Sequence, residues 1–137
     1  ITKRKFSPLL FTHLVEKYKV NVTLTSPYQL AMIVQSQVLN LADYSSVRMW
    51  LVGGGYLAQH LRETIQDHLL YGTLMVTYGL TEIGGVLSVT APFQKASNSV
   101  GKIGPNLKMK VCDQIMKVLK EKFIFYRLLM MMEIYWE

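Results

Sequence analysis

Two periods run through the apolar positions of this chain. Phe6, Leu9, Leu10, His13, Leu14 and Lys17 fall at helical spacing behind Ser7-Pro8, a cap followed by a first-turn proline, so a helix is expected to about Lys19. Val20, Val22 and Leu24 then alternate with Asn21, Thr23 and Thr25, the two-residue period of a short strand. Ser26-Pro27 repeats the cap-and-proline signal ahead of a second helix expected from Tyr28 to Val38, and Asn40 to Ser46 reads as a connector. Val47 to Val52 is apolar apart from Arg48 and short enough for a buried strand, which Gly53-Gly54-Gly55 ends. Leu57, Leu61, Ile65 and Leu69 recur at four-residue spacing and predict an amphipathic helix over Leu57 to Leu70. Thr73 to Thr77 and Val86 to Thr90 read as further strands, and Ala91 to Ser99 as a polar loop. Strands alternating with helices in this rhythm predict an α/β fold, a mostly parallel sheet flanked by helices with right-handed crossovers.

In such sheets ligands bind beyond the carboxyl ends of the strands. The pattern places Gly53-Gly54-Gly55 and Tyr78-Gly79-Leu80-Thr81-Glu82 just beyond two strand ends, with Val100-Gly101-Lys102-Ile103-Gly104 further on. A hydroxyl beside a carboxylate, flanked by glycine and an aromatic ring, suits a nucleotide phosphate and its metal. Glycine admits close backbone approach, the hydroxyl donates to a phosphate oxygen and the carboxylate ligates Mg²⁺. The tyrosine ring offers a face on which a base can stack. Taken alone, Thr81 and Glu82 would read as caps of a following element; the glycine run upstream tips the reading toward a site.

Composition narrows the classes. The chain has 137 residues, which fits one domain by size, and 50% of them are apolar, ample for a core. The single cysteine, Cys112, excludes an internal disulfide framework, fits a reducing compartment and sits in an alternating run that reads as buried strand. No apolar stretch is long enough to span a bilayer as a helix. The net charge of +6 divides between Lys3-Arg4-Lys5 and a scatter from Lys102 to Arg127, without aromatic interleaving or a nucleic-acid module, so no nucleic-acid partner is expected. His13, His60 and His68 form no metal-ligand spacing with one another or with Cys or acid residues, and Met130-Met131-Met132 reads as core strand.

The strings HLVEKYKVNVTLTSPYQL, LVGGGYL, VTYGLTE and SVGKIGPNLKMKV give the chain, from about Phe6 to Asp113, a resemblance to a known family. It resembles the adenylate-forming superfamily of acyl- and aryl-CoA synthetases, 4-coumarate–CoA ligases and firefly-type luciferases. The resemblance implies an internal part of the large N-terminal, AMP-binding domain. Residues 1–113 are expected to be a fragment of that domain and 114–137 its degenerate or divergent continuation, since family members are several times longer, the chain begins with Ile, and residues 114–137 lack glycine and proline.

What the family does then becomes the expectation. A carboxylic acid, fatty or aromatic, attacks the α-phosphorus of ATP, and coenzyme A displaces AMP from the acyl-adenylate; in luciferases oxygen chemistry follows instead. The resemblance implies that Thr81 bonds the α-phosphate and Glu82 holds Mg²⁺, as the catalytic pair. It implies that Tyr78 covers one face of adenine and the turn Gly54, Gly55, Tyr56 the other, with Thr77, Gly79 and Leu80 completing the nucleotide site. Gly84 and Gly85 stand where the family lines the acyl pocket, and equally where the next strand starts. The commonest family pattern puts a small residue and a proline after two glycines; Gly55 and Tyr56 stand there instead, which opens the base face and adds bulk at the mouth. The glycine-rich phosphate loop and the lysine of the small domain lie outside the slice, so the chain alone is expected to catalyse neither half-reaction. Against a fragment of an acid–CoA ligase stand two alternatives: an inactive truncated paralogue with residual nucleotide binding, and a luciferase-like monooxygenase. The expected compartment is intracellular, peroxisomal or cytoplasmic.

Overall fold

A computed structural model describes residues 5–81, 84–93 and 99–107 of the chain. Helix α1 (Pro8–Lys17) starts as its Ser-Pro signal predicts and turns Thr12 and Val15 inward. Strand β1 (Val22–Thr25) follows, with Thr23 and Thr25 buried and Val22 and Leu24 facing solvent, as its alternation requires. Helix α2 (Pro27–Gln35) opens on a reciprocal capping box: Ser26 Oγ accepts from Gln29 N–H, and the Gln29 side chain accepts from Ser26 N–H. It stops three residues before the expected Val38. Gln37 takes φ +57°, a left-handed geometry that ends the helix, and Val38–Leu41 form a short 3₁₀ turn where a connector was expected to begin only at Asn40.

Strand β2 (Met49–Val52), helix α3 (Gln59–His68), strand β3 (Thr73–Leu80), strand β4 (Gly85–Val89) and the short strand β5 (Lys102–Ile103) complete the order. The five strands form one mixed sheet in the order β1-β2-β3-β4-β5. β1, β2 and β3 run parallel, and β4 and β5 are added antiparallel. The expected α/β architecture, a mostly parallel sheet with flanking helices, is thus present with an antiparallel extension. Strand β3 outruns its expected end at Thr77 by three residues because β4 folds back and pairs with Tyr78, Gly79 and Leu80. The boundary expected between residues 113 and 114, and Cys112 with it, lies outside the described residues.

The core lies between the sheet and its helices. Trp50, wholly buried on β2, is its centre: its indole N–H donates to the buried Thr25 hydroxyl at 2.9 Å, and its ring meets Phe11 and Tyr44 at 5.4 and 5.8 Å between centroids. Leu30 and Ile33 of α2 and Ile65 of α3 close over the same face, against Val52, Leu74 and Val76. Burial pushes the Tyr44 phenol well above its ordinary range, and the nearby Glu16 charge adds to the shift. Gln66 ties α3 to the start of β3: its amide donates to Gly72 O at 3.1 Å and accepts from Leu74 N–H at 2.9 Å. These ties fix where β3 begins and hence where its far end emerges.

Candidate functional site

The parallel ladder ends at the row Thr25, Val52, Val76, and β3 continues beyond it. That overhang, Thr77 to Leu80, carries the chain past the ends of β1 and β2, from the buried Thr77 to the exposed Leu80. Gly53 must be glycine for a steric reason: a β-carbon there would strike Thr77 Oγ1. The Thr77 hydroxyl instead donates to Val52 O at 3.3 Å, holding the end of β2 against the overhang. Gly54 turns the chain away with φ +86°, a geometry that costs other residues strain. On the far side the pairing slips, Tyr78 opposite Ser88 and then Gly79 opposite Val86, so Leu87 is an extra residue on β4 and the hairpin bends there.

Two clefts border the overhang. The first, about 460 Å³, runs from Thr77, Gly79 and Thr81 past Gly53 and Gly54 to Leu24, Thr25, Ser26 and Gln29, with Leu80, Gly85 and Val86 on its outer wall. The second, about 560 Å³, lies between Gly54-Gly55-Tyr56 and Tyr78, with Val76 and Val100 at its border. Gly54, Thr77, Gly79, Leu80 and Thr81 belong to both. Both volumes fall in the ordinary range of small-molecule sites, roughly 300–1,000 Å³.

Of the residues singled out from sequence, Gly54, Gly55, Tyr56, Thr77, Tyr78, Gly79, Leu80, Thr81 and Gly85 line the two clefts. Tyr78 is half-buried along the second cleft, and Tyr56 stands 75% exposed at its mouth. Gly55 lies against Pro27, with the ring 3.6 Å from where a β-carbon would stand, and Gly54 and Gly55 line the second cleft with backbone. Thr81 is exposed, and its carbonyl accepts from Gly84 N–H at 3.0 Å, which makes the turn of the hairpin. Gly85 lines the first cleft, while Gly84 occupies the turn beside it. Glu82 lies outside the described residues. The first three residues of YGLTE are strand, and Thr81 begins the turn that leads to β4. His13 and His60 are exposed, and His68 is engaged with Thr64 O at 2.7 Å and Asn40 Oδ1 at 3.0 Å, away from both clefts. Among the described residues, no three His, Cys, Asp or Glu side chains gather as a metal cluster, and no helix is long and apolar enough to cross a membrane.

The AMP-binding enzyme family matches residues 1–136. The chain belongs to that family. Among curated relatives it is 30% identical over 118 residues to 4-coumarate-CoA ligase 1 of Narcissus pseudonarcissus, covering 82% of this chain and 22% of the relative. It spans, in other words, about a fifth of that relative's length. Among solved structures it is similar to a luciferase-like enzyme from the nonluminescent mealworm Zophobas morio, with a TM-score of 0.69 at 24% identity, over 80% of this chain and 28% of that one. It is also similar to an anthranilate CoA ligase in complex with anthranoyl-AMP, with a TM-score of 0.70 at 17% identity, over 77% of this chain and 20% of that one. At these identities the two structures establish the fold.

Sequence reasoning left several lining residues of the two clefts unnamed. Leu24, Thr25, Ser26 and Gln29 line the first cleft because β1 ends level with β2, which only the parallel register reveals. Val100 reaches the second because the buried Ser88 hydroxyl donates to its carbonyl at 2.9 Å. The signal that was legible is Ser26-x-x-Gln29, a capping-box spacing.

Proposed function

We propose that this chain supplies the nucleotide and acid clefts of an ATP-dependent acid–CoA ligase. The observation that carries the reading is the shared wall: one ribbon, Thr77 to Thr81, borders two clefts of ligand size. A reaction that joins a carboxylate to the α-phosphate of ATP needs its two anionic reactants held on either side of one set of donors, since fixed geometry lowers the barrier to bringing them together. The second cleft suits adenine, with the Tyr78 ring on one side and the bare glycine turn on the other. The first suits the acid, a small-molecule carboxylate. Thr81, on both clefts, has the hydroxyl to donate to an α-phosphate oxygen, stabilising charge as it develops there. Glu82 follows it in sequence and carries the carboxylate for Mg²⁺, which supplies charge neutralisation of the phosphates when bound. The 4-coumarate-CoA ligase relative supports an acid–CoA ligase over the luciferase-like alternative, and coenzyme A would be the acceptor in the complete protein.

Binding of Mg-ATP to the purified chain, followed calorimetrically, tests the assignment. Thr81→Ala with Glu82→Ala should weaken it at least tenfold, because hydrogen bonds to charged groups contribute about 1.5–3 kcal/mol. Equal affinity in the wild type and the double variant would overturn it.

A further inference from the structure

Tyr56 combines a pinned backbone with an unengaged ring. It lines the second cleft, yet 75% of it is exposed, and among the described residues no hydrogen bond, ion pair or ring contact holds it. Its neighbours in the chain are fixed: Gly53 sits against Thr77, Gly55 lies against the Pro27 ring, and Leu57 packs on the core. The freedom left to Tyr56 is that of its side-chain torsions, and exposed side chains change rotamer in picoseconds to nanoseconds. Space beside the turn is open, since a β-carbon on Gly54 would meet nothing within 4 Å. An aromatic ring buries about 150–250 Å², and fixing its two torsions costs little conformational entropy. A free ring of that size on a ligand cleft is therefore better placed against a flat apolar surface than in water.

We propose that Tyr56 is a further binding residue for the nucleotide: its ring swings from the mouth of the second cleft onto the base, on the side away from Tyr78, and the base is held between two rings. Stacking engages the face of a base, which every base presents. Tyr56 thus adds affinity and shields the base from water, while the choice of base falls to other groups. The inference rests on the second cleft being the nucleotide side of the proposed function.

The test titrates Mg-ATP into the full chain carrying Tyr56→Ala, Tyr56→Phe or Tyr56→Trp. At so exposed a position none of the three should shift the melting temperature appreciably. Tyr56→Ala should bind Mg-ATP at least about fivefold more weakly, the lower end of what base–aromatic stacking contributes, whereas Tyr56→Phe, which keeps the ring and drops the hydroxyl, should stay within about twofold of the wild type. In Tyr56→Trp, the emission in excess of the wild type should be quenched by acrylamide in the free protein and protected by saturating Mg-ATP. Wild-type affinity in Tyr56→Ala, a Tyr56→Phe loss as large as that of Tyr56→Ala, or an indole quenched equally with and without nucleotide overturns the proposal. If the Thr81/Glu82 double variant loses Mg-ATP and Tyr56→Ala does not, the ring's role alone is refuted; a wild type that does not bind Mg-ATP overturns both readings.

Discussion

A single missing methyl group lets the two halves of the site meet. Gly53, just past the end of β2, and Thr77 of β3 touch only because Gly53 has no β-carbon. Gly53→Ala should cost about 1–3 kcal/mol by overpacking, read from urea unfolding, because Thr77 is buried and cannot swing away. In a Thr77→Ala background most of that cost should vanish, giving a coupling of at least about 1 kcal/mol; strict additivity would show that the contact does not govern the turn. The sequence displayed the glycine run and pointed to Gly54, Gly55 and Tyr56. It could not display Gly53's role, which depends on a partner on another strand. The same holds for Gln29: its spacing to Ser26 is local and visible, whereas its place on the cleft follows from strand register.

Elements were most legible where their signals were local. The Leu57–Leu69 stripe and the two Ser-Pro starts appear as α3, α1 and α2, with ends shifted by one to three residues. The end of α2 was not visible, because Gln37 adopts a positive φ that its side chain does not advertise. The end of β3 was not visible either: a glycine in Tyr78-Gly79-Leu80 argues against strand, and pairing with β4 overrides that preference. Between elements, Asp43 fastens the segment after the 3₁₀ turn to the end of α1. Its carboxylate accepts from Ser45 N–H at 2.8 Å and from Lys19 Nζ at 3.0 Å. Bonds from the Ser45 hydroxyl and N–H first, then Lys19, hold its pKa down from 3.8 to about 2. A depressed folded pKa means the ionised form favours folding. The contribution is complete above about pH 4 and disappears as pH falls toward 2. The urea midpoint of the wild type should therefore exceed that of Asp43→Asn by a constant margin from neutral pH to about pH 4, and the margin should close below it. A margin that persists at about pH 2 would place the effect elsewhere.

For the whole molecule, the decisive fact is that β3 belongs to both halves of the sheet. Its first half completes the parallel, helix-covered layer; its second half, freed from β2, pairs with β4 and carries the wall between the clefts. Damage to that wall and damage to one cleft's own border should then look different. A β-carbon at Gly79 would drive into Gly85 O and the Val86 backbone, which cannot yield without parting β3 from β4. Val100, by contrast, borders the second cleft alone and is 38% exposed. Gly79→Ala should lower the melting temperature and weaken Mg-ATP and a carboxylic-acid ligand such as 4-coumarate together. Val100→Phe should fold normally, weaken Mg-ATP severalfold by filling space beside Tyr78, and leave the acid within about twofold, as expected for separate sites without a shared contact. Parallel losses in both variants would mean that the two clefts act as one continuous cavity. A Gly79→Ala protein that keeps either ligand would mean that the hairpin is not their common wall.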